Sequence, residues 1–149
     1  MKVRIRFLVV IICISTFTFT ACKKEKIKGC KTSYATNYKS NAEEDDGSCT
    51  YEAKAIFWQN QTNAATWTAL GVTSLSFYVD GSLIGTCASN AYYASAPTCS
   101  SNGLASVNKS LGNSSSKSFS YSIKDQTGFT WFSGTITLSA ENSCTVHQI

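Results

Sequence analysis

Residues 75–86, LSFYVDGSLIGT, predict a β-hairpin and set the pattern for most of the chain. Two apolar runs flank Asp80-Gly81 in this segment. An Asp-Gly pair between apolar runs is typical of a two-residue turn, because both positions can adopt a positive φ. We therefore expect strands at 75–79 and 82–86.

Short runs of the same kind recur between turn-forming residues, and no stretch has a convincing helical period. In the clearest of them, Phe119, Tyr121 and Ile123 share one face while serines alternate with them. Further strands are expected at Lys54–Trp58, Leu104–Lys109, Lys117–Lys124, Phe129–Leu138 and Ser143–Gln148. Residues 52–149 are therefore predicted to form an all-β, seven-strand immunoglobulin-like sandwich. The apolar phase changes near Trp131, and Gly134 predicts a bulge or bend there.

Residues 1–21 have the anatomy of a signal peptide, with a basic start and an apolar stretch at Phe7–Phe19. That stretch is too short for a membrane-spanning helix, which needs roughly 20 residues. Small residues precede Cys22, and this arrangement resembles the bacterial lipobox. The resemblance implies that Cys22 becomes the N-terminus and carries palmitate-type acyl chains, with residues 22–28 as a tether. The alternative is an ordinary secretory leader that leaves Cys22 as a thiol.

The resemblance to lipoproteins also implies a location in the cell envelope. A cysteine with several acyl chains is held stably at a membrane, whereas a single chain binds only marginally. Lys23 is not the aspartate that can retain such proteins at the inner membrane, so the outer membrane is expected. Its periplasmic and surface faces both stay open.

The charge of the chain argues against a nucleic-acid partner. The thirteen basic residues include Lys2, Arg4 and Arg6 of the leader, and the remaining ten face nine acidic residues. A charge near +1 lacks the broad basic surface that phosphate binding requires.

The cysteines of the exported region predict disulfide bonds, because exported proteins meet oxidising conditions. Besides Cys13 in the leader and the proposed anchor, the chain has Cys30, Cys49, Cys87, Cys99 and Cys144. Cys30 and Cys49 are expected to pair. We expect a second bond between Cys87 and Cys99, and the rival pairing is Cys99–Cys144. The lack of a CxxC spacing, together with a single histidine, argues against a zinc site, and no metal or cofactor is predicted.

Residues 29–51 are polar and rich in turn formers, so we predict a small module framed by the Cys30–Cys49 disulfide. Its GC opening, its NY at 37–38 and its DDGSC ending at 45–49 resemble a short repeat of exported Bacteroidota-type proteins. That repeat is itself somewhat like calcium-binding repeats, which raises a calcium hypothesis for the acidic run Glu43–Asp46. Adjacent carboxylates alternate in direction and the D-x-D-x-D-G loop is absent, so a solvated acidic turn is favoured.

No catalytic residues are predicted. The single histidine, His147, lies on an expected strand without a nucleophile motif, and the scattered carboxylates suggest no acid–base pair. Tyr92 and Tyr93, in the loop 88–102, form the candidate binding loop for a glycan or an envelope protein. The same tyrosines could instead cover an open sheet edge. We expect a non-enzymatic lipid-anchored envelope protein that binds or assembles with a surface component. The alternative is a small envelope hydrolase or inhibitor.

Overall fold

The computed structural model describes residues 24–149 of the chain. The predicted signal peptide at 1–21 and the lipid-attachment residue Cys22 lie outside the described residues. Within residues 24–149, no helix is both long and apolar enough to cross a membrane. The first described residues, Lys24 to Lys26, are exposed to solvent, as expected of a tether.

The small module begins slightly before the predicted boundary at residue 29. The carbonyl of Ile27 accepts hydrogen bonds from the amides of Glu43 (2.7 Å) and Glu44 (3.2 Å). Directly after it, strand β1 (Lys28–Gly29) pairs in parallel with strand β2 (Glu44–Asp45). Ile27 and Lys28, which the sequence analysis assigns to the tether, therefore bond the module.

The predicted Cys30–Cys49 disulfide is confirmed, with 4.8 Å between the two Cα atoms. Asn37 closes the module beside it. The side-chain amide of Asn37 donates to the Ser48 carbonyl (2.6 Å), and its side-chain oxygen accepts from the Thr50 amide (2.9 Å). One covalent bond and one bridging amide thus hold a segment that has little apolar surface to bury.

Residues 51–149 form the predicted β-sandwich, and each of the seven predicted strands is found. They are β3 (Tyr51–Trp58), β4 (Ser74–Val79), β5 (Ser82–Ala88), β6 (Ala105–Gly112), β7 (Ser116–Asp125), β8 (Thr130–Ser139) and β9 (Cys144–Gln148). The strands form a three-stranded sheet in the order β6-β3-β9 and a four-stranded sheet in the order β5-β4-β7-β8. Strand β3 lies antiparallel to β6 and parallel to β9.

The core lies between the two sheets. Phe57 of β3 and Phe77 of β4 are both buried and their rings meet across the sandwich, with centroids 5.7 Å apart. Fully burying such a side chain stabilises the fold by about 1.5–3 kcal/mol. The buried residues of the module, including Cys30 and Ala35, belong to the same hydrophobic cluster. The module therefore packs against the sandwich through continuous apolar contact.

The predicted hairpin between β4 and β5 is confirmed, with positive φ at Asp80 (48°) and Gly81 (73°). The Asp80 carboxylate also accepts hydrogen bonds from the Lys109 ammonium (3.1 Å) and the Ser120 amide (3.2 Å). The hydrogen bond from Lys109 holds the pKa of Asp80 below its ordinary value. The turn is thus tied to both neighbouring strands, β6 and β7.

The irregularity predicted near Gly134 occurs instead at Trp131. Ile123 pairs with Phe132 and Lys124 pairs with Thr130, so Trp131 is the extra residue of a β-bulge. Because a bulge adds one residue to the strand, it shifts the alternation of inward and outward side chains by one position, which explains the change of apolar phase near Trp131. Gly134 serves a different purpose, because a Cβ atom there would lie 3.1 Å from the ring of Tyr121, its cross-strand partner.

The expectation that the chain has no helix is wrong. Helix α1 (Gln61–Ala69) follows β3, and the side chain of its N-cap residue Asn60 accepts from the Asn63 amide (2.9 Å). Only Ala64 and Trp67 of this helix are buried. So short a helix, rich in threonine and with only two inward side chains, shows almost no apolar period in the sequence.

The expected Cys87–Cys99 bond is also wrong, and the rival pairing is found. Cys99 is bonded to Cys144, with 5.8 Å between the Cα atoms, and Cys87 is the free cysteine among residues 24–149. The Lys54 ammonium donates to the Ser101 carbonyl (2.7 Å) and so draws the loop over β3. Because Cys144 lies beside Lys54 in the β3–β9 register, this places it within reach of Cys99. Burial raises the pKa of the Cys87 thiol to about 11, so this cysteine is protonated at neutral pH.

Candidate functional site

The two tyrosines of the predicted binding loop have different environments. Tyr93 is half-buried, and its hydroxyl donates to the Gly103 carbonyl (3.0 Å) while its amide donates to the Gln59 carbonyl (3.0 Å). Tyr92 is 48% exposed and has no such partner within residues 24–149. Tyr93 therefore anchors the loop to the sandwich, and Tyr92 alone is free to contact a ligand.

Tyr92 borders a shallow groove beside helix α1. The groove has a volume of about 180 Å³ and is lined by Gln61, Ala64, Ala65, Thr68, Asn90 and Tyr92. Typical small-molecule sites are larger, at roughly 300–1,000 Å³. The groove by itself is therefore a poor pocket for a small ligand.

Gln59 is the residue that fixes both the loop and the helix to the end of β3. Its side chain is fully buried (0% exposed), and its amide nitrogen donates to the carbonyls of Ser89 (2.7 Å) and Ala91 (2.6 Å). Its amide oxygen accepts from the Trp67 indole nitrogen (2.7 Å). A buried amide is stable here because each of its bonding groups has a partner.

Trp67 supports a cluster of three aromatic rings, which we call the aromatic patch: the exposed Phe129 and Phe132 and the partly buried Trp131. The Trp67 ring meets Trp131 at 5.3 Å and Phe132 at 5.7 Å between centroids, and Phe129 meets Trp131 at 5.1 Å. Phe129 is 60% exposed and Phe132 is 39% exposed. Edge-to-face contacts of this kind hold rings in fixed relative positions. The patch thus presents apolar surface to solvent on a rigid base.

Asp125 fixes the turn that carries the aromatic patch. One carboxylate oxygen accepts from the amides of Thr127 (2.8 Å) and Phe129 (3.1 Å), and the other accepts from the Trp131 indole nitrogen (2.9 Å). The pKa of Asp125 is below its ordinary value, chiefly because the Thr127 hydroxyl donates to the carboxylate. The neighbouring Gln126 bonds the Thr73 amide and the Gly71 carbonyl, which ties the same turn to the end of α1.

The aromatic patch lies at the end of the sandwich opposite the small module. Strand β3 starts at Tyr51, beside the module, and ends at Trp58, just before α1. Eight residues of extended strand separate these ends by about 25 Å. Since Asp125 pairs with Leu75 near the start of β4, just after α1, the β7–β8 turn belongs to the far end.

The aromatic patch is not among the candidate residues predicted from the sequence. The long loop favours Tyr92 and Tyr93, whereas Phe129 and Trp131 fall in the predicted strand Phe129–Leu138. A usable signal was present, since residues 129–132 contain three aromatics in four positions directly after a turn and at a break in phase. Such a run cannot point all its rings into one core.

The hydrogen-bond partner of His147 is a tyrosine. Its Nε2 atom is 3.0 Å from the Tyr121 hydroxyl, and its ring packs against Phe57. Burial lowers the pKa of His147 below its ordinary value. In residues 24–149 we find no carboxylate hydrogen-bonded to this histidine, which is the arrangement that the hydrolase alternative would use.

The acidic run Glu43–Asp46 forms a turn. A carboxylate oxygen of Asp45 accepts from the Gly47 amide (3.0 Å), and one of Asp46 accepts from the Ser48 amide (3.0 Å). Within the described part of the chain, no three His, Cys, Asp or Glu side chains are grouped so as to hold a metal ion.

Comparison with known proteins gives no further guide, because no protein-family model, curated protein or solved structure matches the chain.

Proposed function

We propose that this chain is a non-enzymatic, lipid-anchored envelope protein whose sandwich binds another envelope component. The observation that carries the binding role is the aromatic patch, in which two exposed rings are held rigidly against Trp131 and Trp67. Aromatic residues are enriched in the buried centres of protein interfaces. Exposed aromatic rings that are fixed before binding lose little conformational freedom when a partner covers them.

The anchoring role is supported by the sequence around Cys22. The leader has the charge, length and small residues of a lipoprotein signal, and the exposed Lys24–Lys26 follow it. Two disulfides in the described region, Cys30–Cys49 and Cys99–Cys144, suit an oxidising compartment. Since Lys23 is not the retaining aspartate, we propose the outer membrane as the place of attachment.

The position of the aromatic patch relative to the proposed anchor suits an anchored binding protein. The tether enters the small module at Ile27, and the aromatic patch lies at the other end of the sandwich. A protein held by its module end presents the patch away from its own membrane. We therefore propose that the partner approaches from the side opposite the anchor.

The chemistry of the patch favours a protein surface over a glycan. A glycan site combines rings with free donors and acceptors that orient the sugar hydroxyls. Here the polar groups beside the rings are already paired, since Asp125 bonds Thr127 and Trp131, and Gln126 bonds the backbone. What the patch offers to a partner is mainly apolar ring surface.

The anchor is tested by labelling cells with radioactive palmitate. The wild-type chain should incorporate label and fractionate with the outer membrane, whereas Cys22→Ser should do neither. An unlabelled wild-type chain recovered as a soluble protein would show that the leader is an ordinary secretory one.

The binding role is tested by co-sedimentation with isolated envelope fractions and by a glycan array. The double variant Phe129→Ser, Phe132→Ser should lower the bound fraction at least tenfold without lowering the melting temperature appreciably. Leu83→Ser is the matched control, because Leu83 is equally exposed but lies on β5, away from the patch. Equal binding by all three proteins contradicts the proposed role of the patch, and glycan binding lost in the double variant would replace the protein partner with a glycan.

A further inference from the structure

Strand β8 (Thr130–Ser139) is an outer strand of the four-stranded sheet, with β7 on one side only. An outer strand presents unpaired backbone amides and carbonyls that another strand can bind. Strand β9 of the other sheet lies beside β8, and there the Thr145 hydroxyl donates to the Thr137 carbonyl (3.2 Å). The part of the strand before Thr137 has no such bond from β9 in the described residues.

The opposite edge of the same sheet, strand β5, is interrupted within the strand. In β5 the pairing of Phe77 with Gly85 and of Tyr78 with Leu83 leaves Ile84 as a bulge in the middle of the strand. Gly85 also lies directly against β6, because a Cβ atom there would be 3.0 Å from that of Ala105. A central bulge interrupts the row of groups that a new strand would need.

The bulge of β8 is at its beginning and leaves the remainder regular. Trp131 is the extra residue, and Phe132 through Ser139 pair with β7 without interruption. Eight regular residues form a usable edge, since most strands in globular proteins are only about 5–6 residues long.

Strand β8 also lacks the charges that usually prevent edges from pairing. No Asp, Glu, Lys or Arg occurs between Gln126 and Ala140. When a strand pairs antiparallel with its own copy, a charged residue near the two-fold axis faces a like charge, which is destabilising. Strand β8 can therefore meet a second β8 in any register without charge repulsion.

The outer face of the sheet already joins its strands through hydroxyl pairs. Ser118 of β7 bonds Thr137 of β8 (2.8 Å), and Ser76 of β4 lies 3.3 Å from Thr86 of β5. Ser133 and Thr135 are exposed and share a face with Thr137, because side chains alternate along a strand. A second copy of β8 would offer the same hydroxyls, so the pairing used inside the sheet can continue across the edge.

We propose that the protein forms a two-fold dimer in which β8 pairs antiparallel with β8 of a second copy. The two four-stranded sheets then become one continuous sheet of eight strands, four from each copy. The proposal goes beyond the binding role of the aromatic patch and does not depend on it, because backbone groups of the edge carry the pairing. A monomer with an active patch would remove the dimer and leave the proposed function intact.

The test is sedimentation equilibrium of the full chain, purified from cells in density-matched detergent, at concentrations from about 1 to 100 μM. The wild-type protein should sediment as a dimer at the upper concentrations. Thr135→Lys places a charge on each copy at the edge, and it should weaken dimerisation at least tenfold. Thr86→Lys is the matched control, since it makes the same change on the other edge strand, β5, and should leave the dimer unchanged.

Circular dichroism and the melting temperature establish that each variant is folded. If Thr135→Lys is unfolded, Ser133→Lys makes the equivalent change one pair away and is read in the same manner. A wild-type chain that stays monomeric at about 100 μM overturns the proposal. Equal weakening by the β5 variant also overturns it, because the association would then not depend on β8.

Discussion

The small module and the sandwich of this protein are stabilised by different means. The module buries few apolar groups, Ala35 and the Cys30–Cys49 disulfide among them, and it relies on that bond and on the bridging amide of Asn37. The sandwich buries large side chains such as Phe57 and Phe77 between two sheets. The difference shows that a segment too small to bury a core can be ordered by a cross-link and by side-chain bonds to its backbone.

The two regions are nevertheless one body. Tyr51 begins β3 and is buried, and its ring lies 5.8 Å from that of Tyr34 in the module. The Thr50 carbonyl, one residue earlier, accepts from the Thr36 amide (2.8 Å). Loss of the sandwich should therefore release the module, whereas loss of the module should leave most of the sandwich in place.

The largest expected effect comes from the core of the sandwich. Phe57→Ala should lower the free energy of unfolding by about 3–5 kcal/mol, because it leaves a cavity between the sheets. Guanidinium denaturation followed by tryptophan fluorescence measures the change. Phe129→Ala, which removes an exposed ring, should cost less than about 1 kcal/mol. Equal costs for the two variants would mean that the buried ring contributes no more than the exposed one.

The next effect concerns the module. Replacing Cys30 and Cys49 together by alanine should cost up to about 3 kcal/mol of local stability, because the closed loop no longer restricts the unfolded segment. Amide hydrogen exchange should speed up in residues 28–50 while strands β4 and β7 keep their protection. Alanines at Cys99 and Cys144 provide the comparison, since they should leave the protection of the module unchanged. Faster exchange throughout the sandwich in the first variant would show that the two regions unfold together.

A smaller effect is expected where the sandwich, like the module, relies on a bridging side-chain amide, here the buried amide of Gln59. Gln59→Leu keeps a similar volume but leaves Trp67 and the carbonyls of Ser89 and Ala91 without their partner, at a cost of about 2 kcal/mol. Thermal unfolding measures the loss, and Gln61→Leu on the exposed side of α1 is the control. If the two variants melt at the same temperature, the bridge from Gln59 contributes nothing to stability.

The smallest effects should come from two exposed aspartates, one in each region. Asp46 in the module and Asp125 in the sandwich both have a pKa below the ordinary value of 3.8, chiefly because Ser48 and Thr127 donate to them. Each carboxylate therefore adds stability that is complete above pH 3.8 and is lost as the pH falls through the lowered value.

These two contributions can be separated by tryptophan fluorescence between pH 5 and pH 2. Protonation of Asp125 should change the emission of Trp131, and Asp125→Asn should remove that pH-dependent step. Asp46→Asn should leave the step in place. An unchanged step in Asp125→Asn would assign it to another group.

Much of the sandwich could be predicted because its strands alternate in phase with burial. Phe119 and Ile123 are buried on one face of β7, and the Asp80-Gly81 turn fixes the neighbouring hairpin. The Cys30–Cys49 bond was predictable for a related reason, since these cysteines bracket a polar segment that needs a cross-link. In each case the information lies within one short continuous segment of the chain.

The rest depended on contacts between distant parts of the chain. The Cys99–Cys144 pairing follows from the hydrogen bond of Lys54 to the loop, which the spacing of cysteines does not encode. The aromatic patch was missed because Phe57 and Phe129 are the same type of residue. Only the fold determines that Phe57 is buried and Phe129 is exposed. Helix α1 was missed because two buried residues are too few to give a period.

The parallel pairing of β3 with β9 has a consequence for the order in which the protein matures. Residues 59–143 separate the two strands, so a nascent chain carries β3 with one bare side until residues 144–148 emerge. During that interval Cys99 also lacks the thiol to which it is finally bonded. Contacts this far apart in sequence form slowly, so closure of the domain is a late event in its biosynthesis. A chain that stops before residue 144 therefore differs from the finished one by an open strand and by a reactive sulfur atom.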